Sequence, residues 1–355
     1  MSQVILITGG AGFVGSGLAI GLKTKYPAYE LIAFDNLKRR GSELNISRLK
    51  SAGVKFIHGD IRSMSDFEEV GEIDCLIDAA AEPSVLAGVK SGTDYLIKTN
   101  FNGTINSLEY AKRFSAKFVF LSTSRVYPIE RIEKSSYEEG DTRFTLSADQ
   151  NELGITEKGI SEQLSLQGNR SLYGATKLAS ELFVNEYNSV FSMETVINRC
   201  GILTGPYQMG KVDQGAVVLW AARHFWKRPL AYIGYGGTGK QVRDMLHGND
   251  LLRLIDWQIH NIGMVNGDTF NVGGGLQVSA SLQEMTKICH EITGTTIEFT
   301  KDMTGRPGDI PWYITDYSLV HEKTGWKPEI SVQEIFADIF AWLEKDQAAL
   351  KSILN

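Results

Sequence analysis

Little in this chain suggests a covalent cross-link, a membrane or a nucleic acid. Only three of its 355 residues are cysteine: Cys75, Cys200 and Cys289. They are too few and too far apart for a disulfide framework, and their spacing fits no metal site. Three free, buried thiols in a reducing compartment are expected, and no metal. No apolar run approaches the ~20 residues that span a bilayer. The N-terminus has no basic segment and no cleavage site, and Val4–Thr8 runs straight into glycines. A cytoplasmic, full-length chain without a membrane partner is therefore expected. Basic residues are also scarce, 36 Lys and Arg against 42 Asp and Glu, for a formal charge of -6. That balance argues against a duplex nucleic-acid partner, whose phosphates must be neutralised. It leaves room for a small anionic substrate, because a few local arginines can hold a diphosphate.

What is present is ordinary globular composition, 43% hydrophobic and 22% charged, with no internal repeat. The length suits a large α/β domain with a smaller lobe. Short β-branched runs at Val4–Thr8, Glu30–Phe34, Lys55–His58, Cys75–Asp78, Phe118–Ser122 and Thr195–Arg199 predict strands. Helical patterns lie between them, at Phe13–Lys25, Thr93–Phe114 and Leu172–Phe191. This alternation implies right-handed crossovers and a doubly wound parallel sheet of the Rossmann type. After Gly201 it fades into aromatic and Gly-rich segments, a short strand at Thr269–Val272, and helical patterns at Ser281–Thr293 and Ser331–Lys345. Residues 1–200 are expected to form the dinucleotide-binding domain with the catalytic residues. Residues 201–355 are expected to form mainly a smaller C-terminal substrate-binding lobe, with some segments packing back on the first domain. The polar stretch Pro128–Arg170 is long for a connection, and a loop over the active site is expected there.

The first strand ends in Thr8-Gly9-Gly10-Ala11-Gly12-Phe13-Val14-Gly15, and a helix follows at once. Gly10, Gly12 and Gly15 satisfy G-x-G-x-x-G; Gly9, Gly12 and Gly15 satisfy T-G-x-x-G-x-x-G. Glycine suits a backbone that turns tightly against a pyrophosphate, which the helix N-terminus then meets with free N–H groups. Asp35 follows Gly15 by twenty residues, where a carboxylate would bond an adenosine ribose 2′-OH. A carboxylate repels a 2′-phosphate, so NAD is favoured over NADP, although Lys38-Arg39-Arg40 nearby could offset the repulsion. Asp60-Ile61 lies where an adenine ring is usually held. Ala79-Ala80-Ala81 supplies small residues where backbone packs on a cofactor.

Tyr173-Gly174-Ala175-Thr176-Lys177 places a phenol and an ammonium on one helix face. The preceding strand ends in Ser122-Thr123-Ser124, and ligands of doubly wound sheets gather at such carboxyl ends. A phenol with a pKa near ~10 is a poor base. A neighbouring ammonium and a cationic nicotinamide would both pull that pKa down. Tyr173 would then take a proton from a substrate hydroxyl held by Thr123, while Lys177 would also bridge to the nicotinamide ribose.

These segments, with Asp35-Asn36-Leu37, Gly59-Asp60-Ile61-Arg62, Asn100-x-x-Gly103-Thr104 and Ser122-Thr123-Ser124-Arg125-Val126-Tyr127, resemble the extended short-chain dehydrogenase/reductases over nearly the whole chain. More narrowly, Gly205-Pro206-Tyr207-Gln208, Asp213-Gln214-Gly215 and Gly239-Lys240-Gln241-Val242-Arg243-Asp244-Met245-Leu246-His247 resemble the CDP-tyvelose epimerases, also called CDP-paratose 2-epimerases.

The resemblance implies tightly bound NAD and a nucleotide-diphosphate sugar substrate. The implied catalytic residues are Thr123, Tyr173 and Lys177. The implied cofactor contacts are Gly9, Gly12, Phe13, Val14, Asp35, Asn36, Asp60, Ile61, Ala79, Ala80, Ala81, Asn100, Ser122, Tyr173, Lys177 and Arg199. Ser124, Gln208, Gln214, Arg243 and Arg306 would bind substrate, the two arginines on its diphosphate; a salt bridge to Asp244 or Asp250 is the other reading of Arg243. A homodimer is the default assembly for such enzymes.

Departures bear on the reaction. Related 4,6-dehydratases carry an Asp-Glu pair after the catalytic threonine, where this chain has Ser124 and Arg125. The 4-epimerases place a substrate-binding Asn where this chain has Ile202. A 2-epimerase is expected; the alternatives are another nucleotide-sugar epimerase, a reductase, or a non-catalytic NAD-sensing regulator.

Overall fold

A computed structural model describes residues 2–89, 92–210, 215–305 and 309–354. Seven strands form the main sheet in the order Thr269–Val272, Thr195–Cys200, Lys117–Thr123, Cys75–Asp78, Val4–Thr8, Glu30–Asp35, Lys55–His58. The six from Thr195–Cys200 to Lys55–His58 pair in parallel. The chain winds outward from Val4–Thr8 in one direction, then restarts at Cys75–Asp78 and winds in the other. This is the doubly wound arrangement that the alternation predicts, and its switch point lies between those two strands.

One face of the sheet is an apolar belt. Leu6, Ile32, Phe34, Leu76, Phe118, Phe120 and Ile197 pack there with Leu108, Ala111 and Val184 from the helices Gly103–Arg113 and Leu172–Phe191. Toward the carboxyl ends the same face turns polar, with Thr8, Asp78, Ser122 and Arg199, all buried. Helix Phe13–Lys25 packs against helix Gly248–Asn261. A Cβ on Gly21 would sit 2.2 Å from Leu252, so glycine sets how closely those two helices approach.

The chain contacts divide into two units: residues 1–126, 172–200 and 248–270, and residues 127–171, 201–247 and 271–355. The second unit has its own core, in which helices Ala216–Phe225, Leu282–Thr293 and Val332–Lys345 bury Val217, Ala221, Met285, Cys289, Phe336 and Ile339. The last two helices begin one residue later than expected. Ser281 and Ser331 are N-caps, each in a capping box with Glu284 or Glu334.

Two other expectations are corrected in detail. The helical pattern Thr93–Phe114 is interrupted by a π-turn at Lys98–Asn102, where Asn100 turns away to bond Glu82 and Thr176. The polar stretch after Pro128 is folded rather than a simple loop, with a helix at Ile129–Glu133 and hairpins Tyr137–Glu139/Phe144–Leu146 and Ile155–Thr156/Gly159–Ile160. Arg143 ties it to Glu284 and Ser279, and Ser135 accepts a 2.6 Å bond from Trp312. Its strands are too short to show a period, which is why the sequence does not reveal them. All three cysteines are free and buried, and no described helix is long and apolar enough to cross a membrane.

Candidate active site

The glycine turn lies at the switch point. Gly9 has φ +64°, and a Cβ there would meet Ala80 Cα at 2.9 Å, so two cofactor-side loops touch through a residue that only glycine fills. A Cβ on Gly15 would fall 2.2 Å from the Gly9 carbonyl oxygen. Gly12 is the N-cap of helix Phe13–Lys25 and is extended, with no side chain to cap the first turn. The amides of Phe13 and Val14 are therefore left without a side-chain cap, as an anion site at a helix N-terminus requires.

Asp35 closes the second strand. Its carboxylate accepts from Ala11 N at 3.1 Å and Leu37 N at 2.7 Å, while burial pushes its pKa up. Asn36 donates to Asp60 at 2.9 Å, and Arg62 grips Asp60 with two bonds of 2.9 and 2.6 Å. Arg62 is the main reason the Asp60 carboxyl is held down at about 2. Ile61 packs beside Gly103, where a Cβ would approach within 2.4 Å. The Arg62 guanidinium lies 4.9 Å and the Lys38 ammonium 5.6 Å from the Tyr95 ring centre, so both cations are drawn to that ring.

The long helix Leu172–Phe191 turns Tyr173, Thr176, Lys177, Ser180, Glu181 and Val184 inward. Tyr173 and Lys177 thus share the buried face that their spacing predicts. The Thr123 hydroxyl neighbours the Tyr173 phenol and acts to lower its pKa. Yet the phenol is pushed up to about 12, chiefly by burial, against the downward pull expected from Lys177. The ammonium lies elsewhere, 3.9 Å from the centre of the Phe120 ring. Burial lowers Lys177 to about 8. Among the described residues Nζ makes no hydrogen bond, and a group bringing acceptor oxygens, such as a cofactor ribose, fits that orphaned donor. NAD therefore suits these residues: amides at a helix N-terminus for its phosphates, Asp35 for a ribose, Lys177 for the other.

Three residues take structural partners. Arg199 donates to Glu181 at 2.7–3.1 Å, and Ser122 donates to the same carboxylate at 2.5 Å. Asn100 is committed to Glu82 and Thr176. The sequence reading missed Glu181 altogether; its signal is its position one helical turn beyond Lys177. Ser124 opens a short turn with Arg125, whose charge acts to lower the Tyr173 pKa.

In the second unit, Gln208 is buried, donating to the Leu203 carbonyl at 2.8 Å and lying 3.1 Å from the Thr204 hydroxyl. Arg243 pairs with Asp309 at 2.8 Å and donates to the Ile310 carbonyl at 2.6 Å. That corrects the reading of its ion-pair partner as Asp244 or Asp250. Asp244 instead accepts from Gly275 N and Thr315 N, and Asp250 bonds Arg253. Gln214 and Arg306 lie outside the described residues.

The model of the NAD dependent epimerase/dehydratase family matches residues 5–273. A CDP-paratose 2-epimerase of Salmonella typhi is 29% identical over 350 residues, covering 95% of this chain and 98% of its own. A double mutant of a dTDP-glucose 4,6-dehydratase from Streptomyces venezuelae, solved with NAD bound, has a TM-score of 0.77 at 26% identity, covering 98% of this chain and 99% of its own. A UDP-glucuronic acid 4-epimerase from Bacillus cereus, solved with UDP-glucuronic acid and NAD, has a TM-score of 0.75 at 23% identity, covering 97% and 99%, a likeness of fold.

Proposed function

The chain belongs to the NAD dependent epimerase/dehydratase family, and from that premise we propose that it is a nucleotide-sugar epimerase with tightly held NAD, inverting C2 between CDP-paratose and CDP-tyvelose. The observation that carries the reading is Tyr173, beside Thr123 and one turn from a buried Lys177, on the unit that bears the glycine turn. The 2-epimerase relative, aligned over 95% of this chain, supports the choice of carbon.

Thr123 holds the oxygen of the reacting hydroxyl, and Tyr173 takes its proton. Lys177 stabilises the phenolate that accepts this proton, and the transfer leaves Tyr173 a neutral phenol. NAD, when bound, supplies the hydride acceptor and donor that make the inversion redox-neutral. Tyr173 returns the proton once the keto sugar has presented its other face. Ser124 and Arg125 stand where the related dehydratases carry an Asp-Glu pair, so dehydration here lacks that acid–base pair. Arg243, Gln208, Gln214 and Arg306 are the residues we assign to the substrate, with Arg243 exchanging Asp309 for a diphosphate oxygen.

The test is to incubate purified protein with CDP-paratose and no added NAD, and to follow the C2 epimer by NMR. Turnover confined to 4-epimers of other nucleotide sugars would sink the C2 assignment. NAD lost on gel filtration would point to a reductase with an exchanging cofactor.

A further inference from the structure

Asp78 ends the strand Cys75–Asp78 and is fully buried. One carboxylate oxygen accepts from Thr8 Oγ1 at 2.6 Å and the other from Thr104 Oγ1 at 2.8 Å. No cation among the described residues bonds it. Lys177 is the converse, a buried ammonium without a hydrogen bond among the described residues, resting on Phe120. The two meet through the sheet register. Asp78 and Phe120 are partners in adjacent parallel strands, so their side chains leave the same face about 4.8 Å apart. The carboxylate therefore stands beside the ring that carries the ammonium.

We propose that Asp78 is the counter-charge of Lys177: a positioning residue that acts through space to keep the ammonium protonated over Phe120, and so sets the pH range in which Tyr173 works. Only that catalytic consequence rests on the proposed function. Of the other groups acting on Lys177 among the described residues, Glu181 also raises its pKa, though less than Asp78 does. Glu181, on the same helix, is held by Arg199 and Ser122. The Cys200 thiol and the Tyr173 phenol are both pushed up to about 12 by burial and stay neutral. Asp78 is also the strongest influence raising the Lys177 pKa against burial.

The experiment is an ε-13C-lysine NMR titration of the cofactor-free protein, with the Lys177 signal assigned by Lys177→Met. In native protein the midpoint lies near the value of about 8 that burial sets. In Asp78→Asn it falls by about one to two pH units, as for two charges coupled through a partly buried medium. The alkaline limb of the kcat profile moves to lower pH with it, because the working ammonium is lost as pH rises past its own pKa. Asp78→Ser replaces Asp78→Asn if the latter does not fold. An unmoved midpoint in a folded variant overturns the proposal, even if Tm falls, since a purely structural Asp78 would alter only Tm. The titration needs neither substrate nor NAD, so failure to epimerise leaves it standing.

Discussion

Replacing Arg199 by Met separates two roles for one residue. Arg199 was expected at the cofactor, but its guanidinium makes three contacts of 2.7–3.1 Å with Glu181, and both residues are buried. Methionine keeps most of the volume and removes the charge. The Glu181 carboxylate is then left in the sheet with Ser122 as its remaining donor. Breaking a buried pair from one side costs about 3–5 kcal/mol, mostly from the stranded charge. For a unit of this size each kcal/mol moves Tm by roughly 2–4 °C, so a fall of about 6–20 °C is expected by calorimetry. The double variant Arg199→Met with Glu181→Leu removes both charges and should recover most of that loss. Retention of NAD, measured well below the melting range, should barely change. A single variant that melts within about 2 °C of the native protein, yet loses NAD, would refute the structural reading and favour the cofactor role.

Tyr173→Phe should lower kcat about 10²- to 10⁴-fold while leaving Tm and NAD content close to native, as read by turnover and thermal shift. In protein freed of NAD, the Tyr173 phenol should ionise at about 12, seen as the ultraviolet titration difference between native and Tyr173→Phe protein. Adding NAD should move that midpoint down, because a cation favours the phenolate; an upward movement would contradict the assignment. Gly15→Ala would drive a methyl to within 2.2 Å of the Gly9 carbonyl oxygen, so it should lower both NAD content and Tm. Arg243→Ala should raise KM for the nucleotide sugar about 10- to 100-fold with a smaller change in kcat, the loss of a charge-assisted bond to phosphate.

The sheet was legible because parallel strands buried on both faces read as unbroken apolar runs. The observed strands Glu30–Asp35, Lys117–Thr123 and Thr195–Cys200 differ from expectation only by a residue at their ends. The glycine turn and the Tyr173–Lys177 spacing were legible for a similar reason, since both are local and fixed by backbone geometry. The partner of Arg243 was not. Asp309 lies in a different segment, and nothing local distinguishes it from Asp244, which turns the other way to bind Gly275 and Thr315.

The direction of the Tyr173 shift was also missed, and the reason reaches further. Sequence spacing places Lys177 one helical turn from the phenol, and on that basis alone the ammonium should ease the proton away. Spacing says nothing of how much water remains. The belt that closes this face with Phe118, Phe120 and Val184 also dries the site above it, so burial raises the phenol and lowers the ammonium together. Each shift moves its group toward the neutral form, and both work against catalysis in the bare protein. A fixed negative charge beside Lys177 offsets part of the one shift, and a cationic cofactor near Tyr173 would offset the other. On this reasoning the dryness that stabilises the sheet is also what makes Asp78 necessary.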